Sequence, residues 1–373
     1  MKSFVWNILA LFGVILFLRN PPTASAQEDT PTSTSDTSVQ GQIVNATTGE
    51  YGPEGLEIML HAWDPSGAAS DMIHGTSQPN GRFEMEGVEI QPGLYYAVMA
   101  IYEGAAYYSE ATQANGSGSL RDFLVEIYES TPDDSGMYAG LYHIVFGWAQ
   151  GGLSVAEIFS LSNMGERTIT DAVVLDDGRK ATAIYSIPAT AANLSFPSSS
   201  PERFIQIHGG YADTQPLVPG EGTAQVIASY VLPYEDSLKL DRPVPLDVEE
   251  IRILFPHQLG TLEFEVQGGE YLGVEEFGQS SQEYEVYALG PIEGGGQVMF
   301  TVTGSPPVDG YDIENNTQST EVTRSTGTGI MIGSSILGLA LIGTGIWIFT
   351  KSGGGPTEDQ EIDETAPESD WLE

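Results

Sequence analysis

Cysteine is absent from the 373-residue sequence, so disulfides, thiolate metal sites and cysteine nucleophiles are excluded. Positive charge is scarce: 13 Lys and Arg stand against 52 Asp and Glu, a formal net charge of -39. Such a chain has no Lys/Arg surplus to neutralise phosphates, which excludes nucleic acid as a partner and argues against polybasic attachment to anionic lipid. Histidine is limited to His61, His74, His143, His208 and His257. None has a carboxylate or second His at helical metal-ligand spacing, and H-E-x-x-H is missing. The G-x-S-x-G nucleophile elbow, the P-loop and a dinucleotide fingerprint after a strand are missing as well. The sequence therefore implies no catalytic residue, metal or cofactor. Hydrophobic residues make up 40% and charged ones 17%, enough apolar material for a buried core.

The two ends predict location. Residues 4–18 are an apolar run after Lys2, followed by Asn20-Pro21-Pro22 and Ala24-Ser25-Ala26. A charged start, a short apolar segment and a small-x-small site predict a signal peptide over 1–26, cut after Ala26. Residues 330–349 carry no charge and match the roughly 20 residues that a helix rising 1.5 Å per residue needs to cross a bilayer. Trp347 and Lys351 suit an interfacial end, and Gly333, Gly338, Gly343 and Gly345 would weaken a soluble helix more than a membrane one. The expectation is a single-pass plasma-membrane protein with its body outside the cell, a transmembrane helix over 329–350 and an acidic cytoplasmic tail over 351–373. The lipid bilayer is thus one partner. Ser334/Gly338 and Ala340/Thr344 place small residues four apart, a spacing that permits self-association through this helix.

Residues 27–38 form a polar, Thr/Ser-rich leader, and 306–328 a polar stalk. Between them the pattern is short and alternating. Leu56, Ile58, Leu60 and Ala62 mark one face of a strand, and Phe83 and Met85 one face of another after the Pro79-Asn80-Gly81 turn. Residues 94–102, 105–112 and 120–128 continue the series. Asp133-Asp134-Ser135-Gly136 reads as a linker. Beyond it, residues 153–161 are apolar on both faces, which suits a strand buried between layers. Further strands are expected over 167–175, 179–187, 203–208, 223–232, 248–255, 261–266, 283–289 and 297–303. The fold class is all-β: two β-sandwich domains, over 39–130 and 138–305, outside the membrane, plus one C-terminal transmembrane helix.

The segments Val39-Gln40-Gly41-Gln42-Ile43-Val44, Gly55-Leu56-Glu57-Ile58-Met59-Leu60 and Asn80-Gly81-Arg82-Phe83-Glu84-Met85-Glu86-Gly87-Val88 resemble the carboxypeptidase regulatory-like domain. The resemblance covers roughly residues 39–110 and implies a prealbumin-like β-sandwich close in shape to starch-binding domains. It implies an accessory or surface module, not a catalytic one, and no H-x-x-E zinc motif accompanies it. The second unit is similar to a region of uncharacterised bacterial envelope proteins around Ser160-Leu161-Ser162-Asn163 and Ala228-Ser229-Tyr230-Val231-Leu232-Pro233-Tyr234. That similarity implies architecture only.

The expected function is a non-enzymatic, single-pass membrane protein presenting extracytoplasmic β-sandwich modules for ligand binding, scaffolding or envelope-complex assembly, with an unknown envelope protein or glycan as partner. One alternative is a carbohydrate-binding surface protein. Its candidate ligand-stacking aromatics are Trp63, Tyr95, Tyr96, Tyr102, Tyr107 and Tyr108, because an aromatic face is apolar yet tolerates neighbouring hydroxyls. Core packing of those rings is the competing reading. A second alternative is a glycan-active enzyme using paired carboxylates. The oxygen-rich turns Asp133-Asp134 and Asp176-Asp177-Gly178 match no EF-hand loop and read as solvated turns.

Overall fold

The computed structural model describes residues 37–304 apart from 70–71, 150–151, 198, 258–262 and 277–282. The expected signal peptide, most of the leader, the stalk, the transmembrane helix and the acidic tail lie outside the described residues. Among the described residues no helix is long and apolar enough to cross a membrane. The architecture is all-β, with two 3-10 turns at Pro79–Gly81 and Pro201–Arg203 as the helical elements described.

Period-two alternation builds the first unit from two sheets. In one, β1 (Ser38–Asn45) pairs antiparallel with β2 (Glu50–Tyr51) and β5 (Arg82–Glu86), and parallel with β9 (Leu120–Ile127). In the other, the order is β4 (Ile73–Thr76), β3 (Glu57–Trp63), β6 (Tyr95–Tyr102) and β7 (Ala105–Tyr108), with β8 (Thr112–Gln113) also on β6. The inward residues Ile58, Leu60, Val98 and Ala100 of the second sheet meet Val39, Ile43, Phe83 and Val125 of the first in one buried cluster. Ser38, expected at the end of the leader, already belongs to β1, and its N–H donates to the Ser119 hydroxyl.

The Asn-Gly turn is real but makes no hairpin, because it joins β4 and β5, which lie in different sheets. Asn80 and Gly81 have φ of 66° and 67°. A Cβ on Gly81 would sit 2.3 Å from the Ile43 carbonyl oxygen, so glycine is required there for space as well as for conformation.

The expected linker is an ordered turn. Asp133 Oδ1 accepts from the Ser135 N–H, and the Met137 N–H donates to the Asp134 carbonyl. On the first unit's side of this turn, β10 (Ser130–Thr131) pairs parallel with β13 (Thr168–Ile169) of the second. Tyr107, from the first core, places its hydroxyl 2.7 Å from Thr168 Oγ1, and the Thr47 hydroxyl donates to the Glu166 carbonyl at 2.9 Å. Val218 of the second unit packs on the first unit's core. The two bodies are thus stitched by backbone, side-chain and apolar contacts.

The second unit is centred on a seven-stranded sheet. Its order is β17 (Ala192–Ser195), β20 (Gly220–Pro233), β12 (Gly152–Asn163), β11 (Met137–Ala149), β22 (Ile251–Pro256), β25 (Glu283–Leu289) and β24 (Glu270–Glu276). Against one face lie two small sheets: β16 (Ala183–Ser186), β19 (Gly210–Asp213) and β18 (Phe204–Ile207); and β21 (Ser237–Pro243), β26 (Gln297–Thr303) and β23 (Glu263–Val266). A two-stranded piece, β14 (Val173–Val174) with β15 (Lys180–Ala181), completes the set. Tyr142, Phe146, Phe159 and Val226 of the large sheet share a core with Tyr185, Tyr211, Leu240 and Phe300 of the small ones. The opposite face of the large sheet buries Val145, Ala156, Ile158, Ile227, Leu254 and Val286. That explains the two-sided apolar pattern of residues 153–161. The strand expected over 167–175 is broken into β13 and β14, with Asp171 at a φ of 57° between them.

One ion pair is sealed inside this second core. Glu157 on β12 receives Arg242 of β21 bidentately, through Nε at 2.8 Å and Nη2 at 2.9 Å, while the Tyr230 hydroxyl donates to the same carboxylate. Burial opposes the charge on Arg242, but Glu157 beside it more than offsets this and holds the guanidinium above its usual pKa. Burial, and then Glu157, pushes the Tyr142 and Tyr230 hydroxyls well above the usual phenol range.

Candidate ligand-binding face

β3 alternates Glu57, Met59, His61 and Trp63 outward with Ile58, Leu60 and Ala62 inward, because only the second set joins the core. The register carries this division across the sheet. Trp63 lies opposite Tyr95, His61 opposite Ala97, and Met59 opposite both Met99 on β6 and His74 on β4. Met99 in turn lies opposite Tyr108 on β7. The outward face of this sheet is therefore a field of aromatic, imidazole and thioether side chains.

Within it, Trp63 and Tyr95 stack across the strands, with ring centroids 6.0 Å apart and planes 17° from parallel. Adjacent aromatic pairs of this kind stabilise the sheet locally and present one broad apolar surface. A second contact is less ordinary. The His61 and Tyr108 rings approach to 6.0 Å although they belong to β3 and β7, which flank β6 on either side. Strands two apart are separated by roughly 9.5 Å, so the rings lean toward each other above β6. Ala97 beneath them has only a methyl group and is 0% exposed. Burial, and then the nearby His74, lowers the His61 pKa, which favours the neutral imidazole. Burial also raises the Tyr108 pKa, although 39% of that residue's surface remains open.

The six candidate aromatics divide three and three between the outward and inward sides of the sheet. Trp63, Tyr95 and Tyr108 are on the outward face. Tyr96 and Tyr107 are buried in the core, so their rings are closed to a ligand; the Tyr96 hydroxyl accepts from the Gln91 N–H and the Tyr107 hydroxyl donates to the Tyr128 carbonyl. Strand alternation is the reason, since adjacent residues must face opposite ways. Tyr102 packs on the core edge and donates to Glu129 Oε1 at 2.9 Å; burial and that carboxylate raise its pKa to about 12. His61 and Met59 complete the face above the buried Met99; the spacing of two residues between His61 and Trp63 is the signal for it in the sequence.

Elsewhere, Gly49–Glu54 with Pro79 and Asn80 line an open depression of about 670 Å³ that shares no residue with the aromatic face. Of the described carboxylates, Glu157 and Asp213 are the buried ones, and each is held by an arginine: Asp213 receives Arg203 at 2.7 and 2.6 Å. A carboxyl closed off in this way is not placed to protonate a glycosidic oxygen. Asp133 and Asp177 spend their oxygens on their own turns, and no group of three metal-ligating side chains occurs among the described residues.

No family model matches the chain, and neither does any curated protein. Among solved structures it is similar to the full-length major pilin SpaD from Corynebacterium diphtheriae, at 9% sequence identity and a TM-score of 0.20, over 75% of this chain and 90% of that one. A superposition that loose carries no argument about function.

Proposed function

We propose that the chain is a non-enzymatic, membrane-tethered surface protein whose first sandwich holds a glycan on the outward aromatic face of the β4-β3-β6-β7 sheet. The observation that carries this reading is the pairing of the stacked Trp63–Tyr95 rings with the His61–Tyr108 bridge over Ala97. Flat rings at the surface of a rigid sheet suit the apolar faces of sugar rings, and their two-angle side chains lose little entropy on binding. The signal-peptide-like start, the apolar segment over 330–349 and the resemblance to carboxypeptidase regulatory-like domains support placement outside the cell and an accessory role. The stitched junction suits the second unit to a supporting base.

A glycan array probed with the full-length chain tests the reading. Binding to a defined glycan set is expected, with a loss of about five- to thirtyfold in affinity for Trp63→Ala or Tyr95→Ala, since stacked anchors of this type contribute about 1–2 kcal/mol each. An empty array, or binding that survives both substitutions, would overturn it. Reproducible glycan turnover by the purified chain would overturn the non-enzymatic part, and recovery of the intact chain from the aqueous cytosol would overturn the tether.

A further inference from the structure

Resting on the glycan reading of the same face, we infer that its ligand is a cationic glycan, a polymer of amino sugars bearing free ammonium groups. The reason is the charge around the rings. Between Glu50 and Leu120 the sequence contains one Lys or Arg, Arg82, and that residue lies on β5 of the opposite sheet, exposed. The aromatic sheet and its connecting turns carry Glu57, Asp64 and Glu110 there instead, while Glu103 turns to the junction and accepts from the Ser130 N–H. Glu57 stands at one end of β3, and Asp64 directly follows Trp63 at the other. Six residue steps of strand separate Glu57 from Trp63, about 20 Å, which is long enough for several sugar units in a row.

Glu57 is exposed, and among the described residues it pairs with His74, whose Nδ1 lies 3.5 Å away. Asp64 accepts from the Ser66 hydroxyl and from the Ser66 and Ala68 N–H groups, and those bonds, the Ser66 hydroxyl foremost, lower its pKa and keep it ionised. A uronate or sulfated polymer would meet these carboxylates with no Lys or Arg of this sheet beside them. An ammonium-bearing polymer gains twice: exposed carboxylates attract its charges over a screening length of about 8–10 Å at ordinary salt, and an ammonium over an indole or phenol ring is attracted by the ring's negative face. Electrostatic complementarity of this kind selects among partners more than it sets absolute affinity. Stacking on Trp63 and Tyr95 supplies the grip, and the acidic rim supplies the choice.

Isothermal titration of the full-length chain with three hexasaccharides tests the inference: a β-1,4-glucosamine hexamer, its fully N-acetylated counterpart and a hexauronate, at about pH 6 in low and high salt. The glucosamine hexamer is expected to bind at least about tenfold tighter than the acetylated one in low salt, with the margin shrinking severalfold in high salt. The hexauronate is expected not to bind, and Glu57→Gln with Glu110→Gln is expected to erase most of the margin while leaving acetylated-hexamer binding in place. Equal or tighter binding of the acetylated hexamer, or a margin indifferent to salt, overturns the cationic inference and leaves the glycan reading standing. If none of the hexamers binds, or if Trp63→Ala and Tyr95→Ala change nothing, the glycan reading itself fails and the inference falls with it.

Discussion

Replacing Arg242 by Met removes the cationic half of the ion pair that ties β21 to the centre of the seven-stranded sheet. Glu157 and Arg242 are 1% and 3% exposed, so water does not take the place of the lost partner. The substitution deletes the Nε and Nη2 contacts to the carboxylate, at 2.8 and 2.9 Å, and the 2.8 Å Nη2 contact to the Ser186 carbonyl. It leaves a buried carboxylate facing tyrosine hydroxyls alone. Breaking a buried pair from one side costs about 3–5 kcal/mol, most of it the uncompensated charge, whereas removing both charges together costs far less. Arg242→Met is therefore expected to destabilise the second unit by about 3–5 kcal/mol. The double variant Glu157→Gln with Arg242→Met, in which the amide oxygen still accepts from Tyr230, is expected to lose only about 1–2 kcal/mol. Peptide-resolved hydrogen exchange on the full chain measures both values, because amides of β12 and β20 exchange only when the sheet opens. The desolvation argument is refuted if the double variant is as unstable as the single one, or if Arg242→Met costs under about 1 kcal/mol.

Three further outcomes follow from the same structure. Burial, and then the Arg252 charge, lowers the pKa of His143 to about 3; the folded imidazole stays neutral while the unfolded one takes up a proton below its ordinary value. Stability is therefore lost as pH falls through the window from about 6.5 toward 3, by about 2 kcal/mol between pH 7 and pH 5. Denaturant midpoints across that range check it, and His143→Leu is expected to flatten the dependence. At the junction, Tyr107→Phe removes the hydroxyl that meets Thr168 and is expected to cost about 1 kcal/mol and to widen the distribution of inter-domain distances in small-angle scattering. An unchanged scattering profile with an unchanged melting temperature would show that this contact does not hold the two bodies together. On the aromatic face, Ala97→Leu would push between His61 and Tyr108 above β6; glycan affinity is expected to fall at least about tenfold, with a stability cost of about 1–3 kcal/mol. Retained affinity would show that the bridge over Ala97 is not part of the binding surface.

Much of the fold was legible where alternation and turn chemistry agree. Ile58, Leu60 and Ala62 face inward, as do Phe83 and Met85, and the doubly apolar run from Leu153 to Leu161 is the fully buried strand β12. The strands that pattern reasoning passed over are instructive. β11 carries Tyr142, His143 and Gly147 inside an otherwise apolar run, so no clean period appears. β21 holds Lys239, Asp241 and Arg242 and ends on a proline, and its most buried charged residue is inward only because Glu157 awaits it. β24 is an edge strand with its residues open to solvent, which leaves no buried face to generate a pattern. The linker expected at Asp133–Gly136 carries turn residues in both an ordered and a free chain. What orders it is a set of bonds within the turn itself together with the Met164 N–H, nearly thirty residues away, which donates to the Gly136 carbonyl and which local sequence does not reveal. For the candidate face, composition drew attention to the aromatic-rich strands, and alternation sorts Tyr95 from Tyr96 and Tyr107 from Tyr108. What was not legible was register, which alone brings Trp63 opposite Tyr95 and lets His61 reach Tyr108.

The contrast between the two bodies bears on the proposal. In the second, a sheet with apolar side chains on both faces buries both, and its Tyr142, Phe146 and Phe159 stack within the core, as does Tyr211 of the small sheet packed on it. In the first, the inward positions of the β4-β3-β6-β7 sheet already complete a core without Trp63, Tyr95 or Tyr108. Rings at the outward positions contribute nothing to that core, and a broad apolar face toward solvent invites unwanted association. The surrounding carboxylates counter that hazard by repelling a second copy of an equally acidic chain. They leave the same face receptive to an extended ligand of opposite charge. Under the proposal the acid-rich rim and the aromatic field are one device: the rings would hold a ligand and the charges would decide which ligands approach. The device fails as an explanation if neutralising Glu57 and Glu110 makes the chain self-associate no more readily and changes no glycan preference.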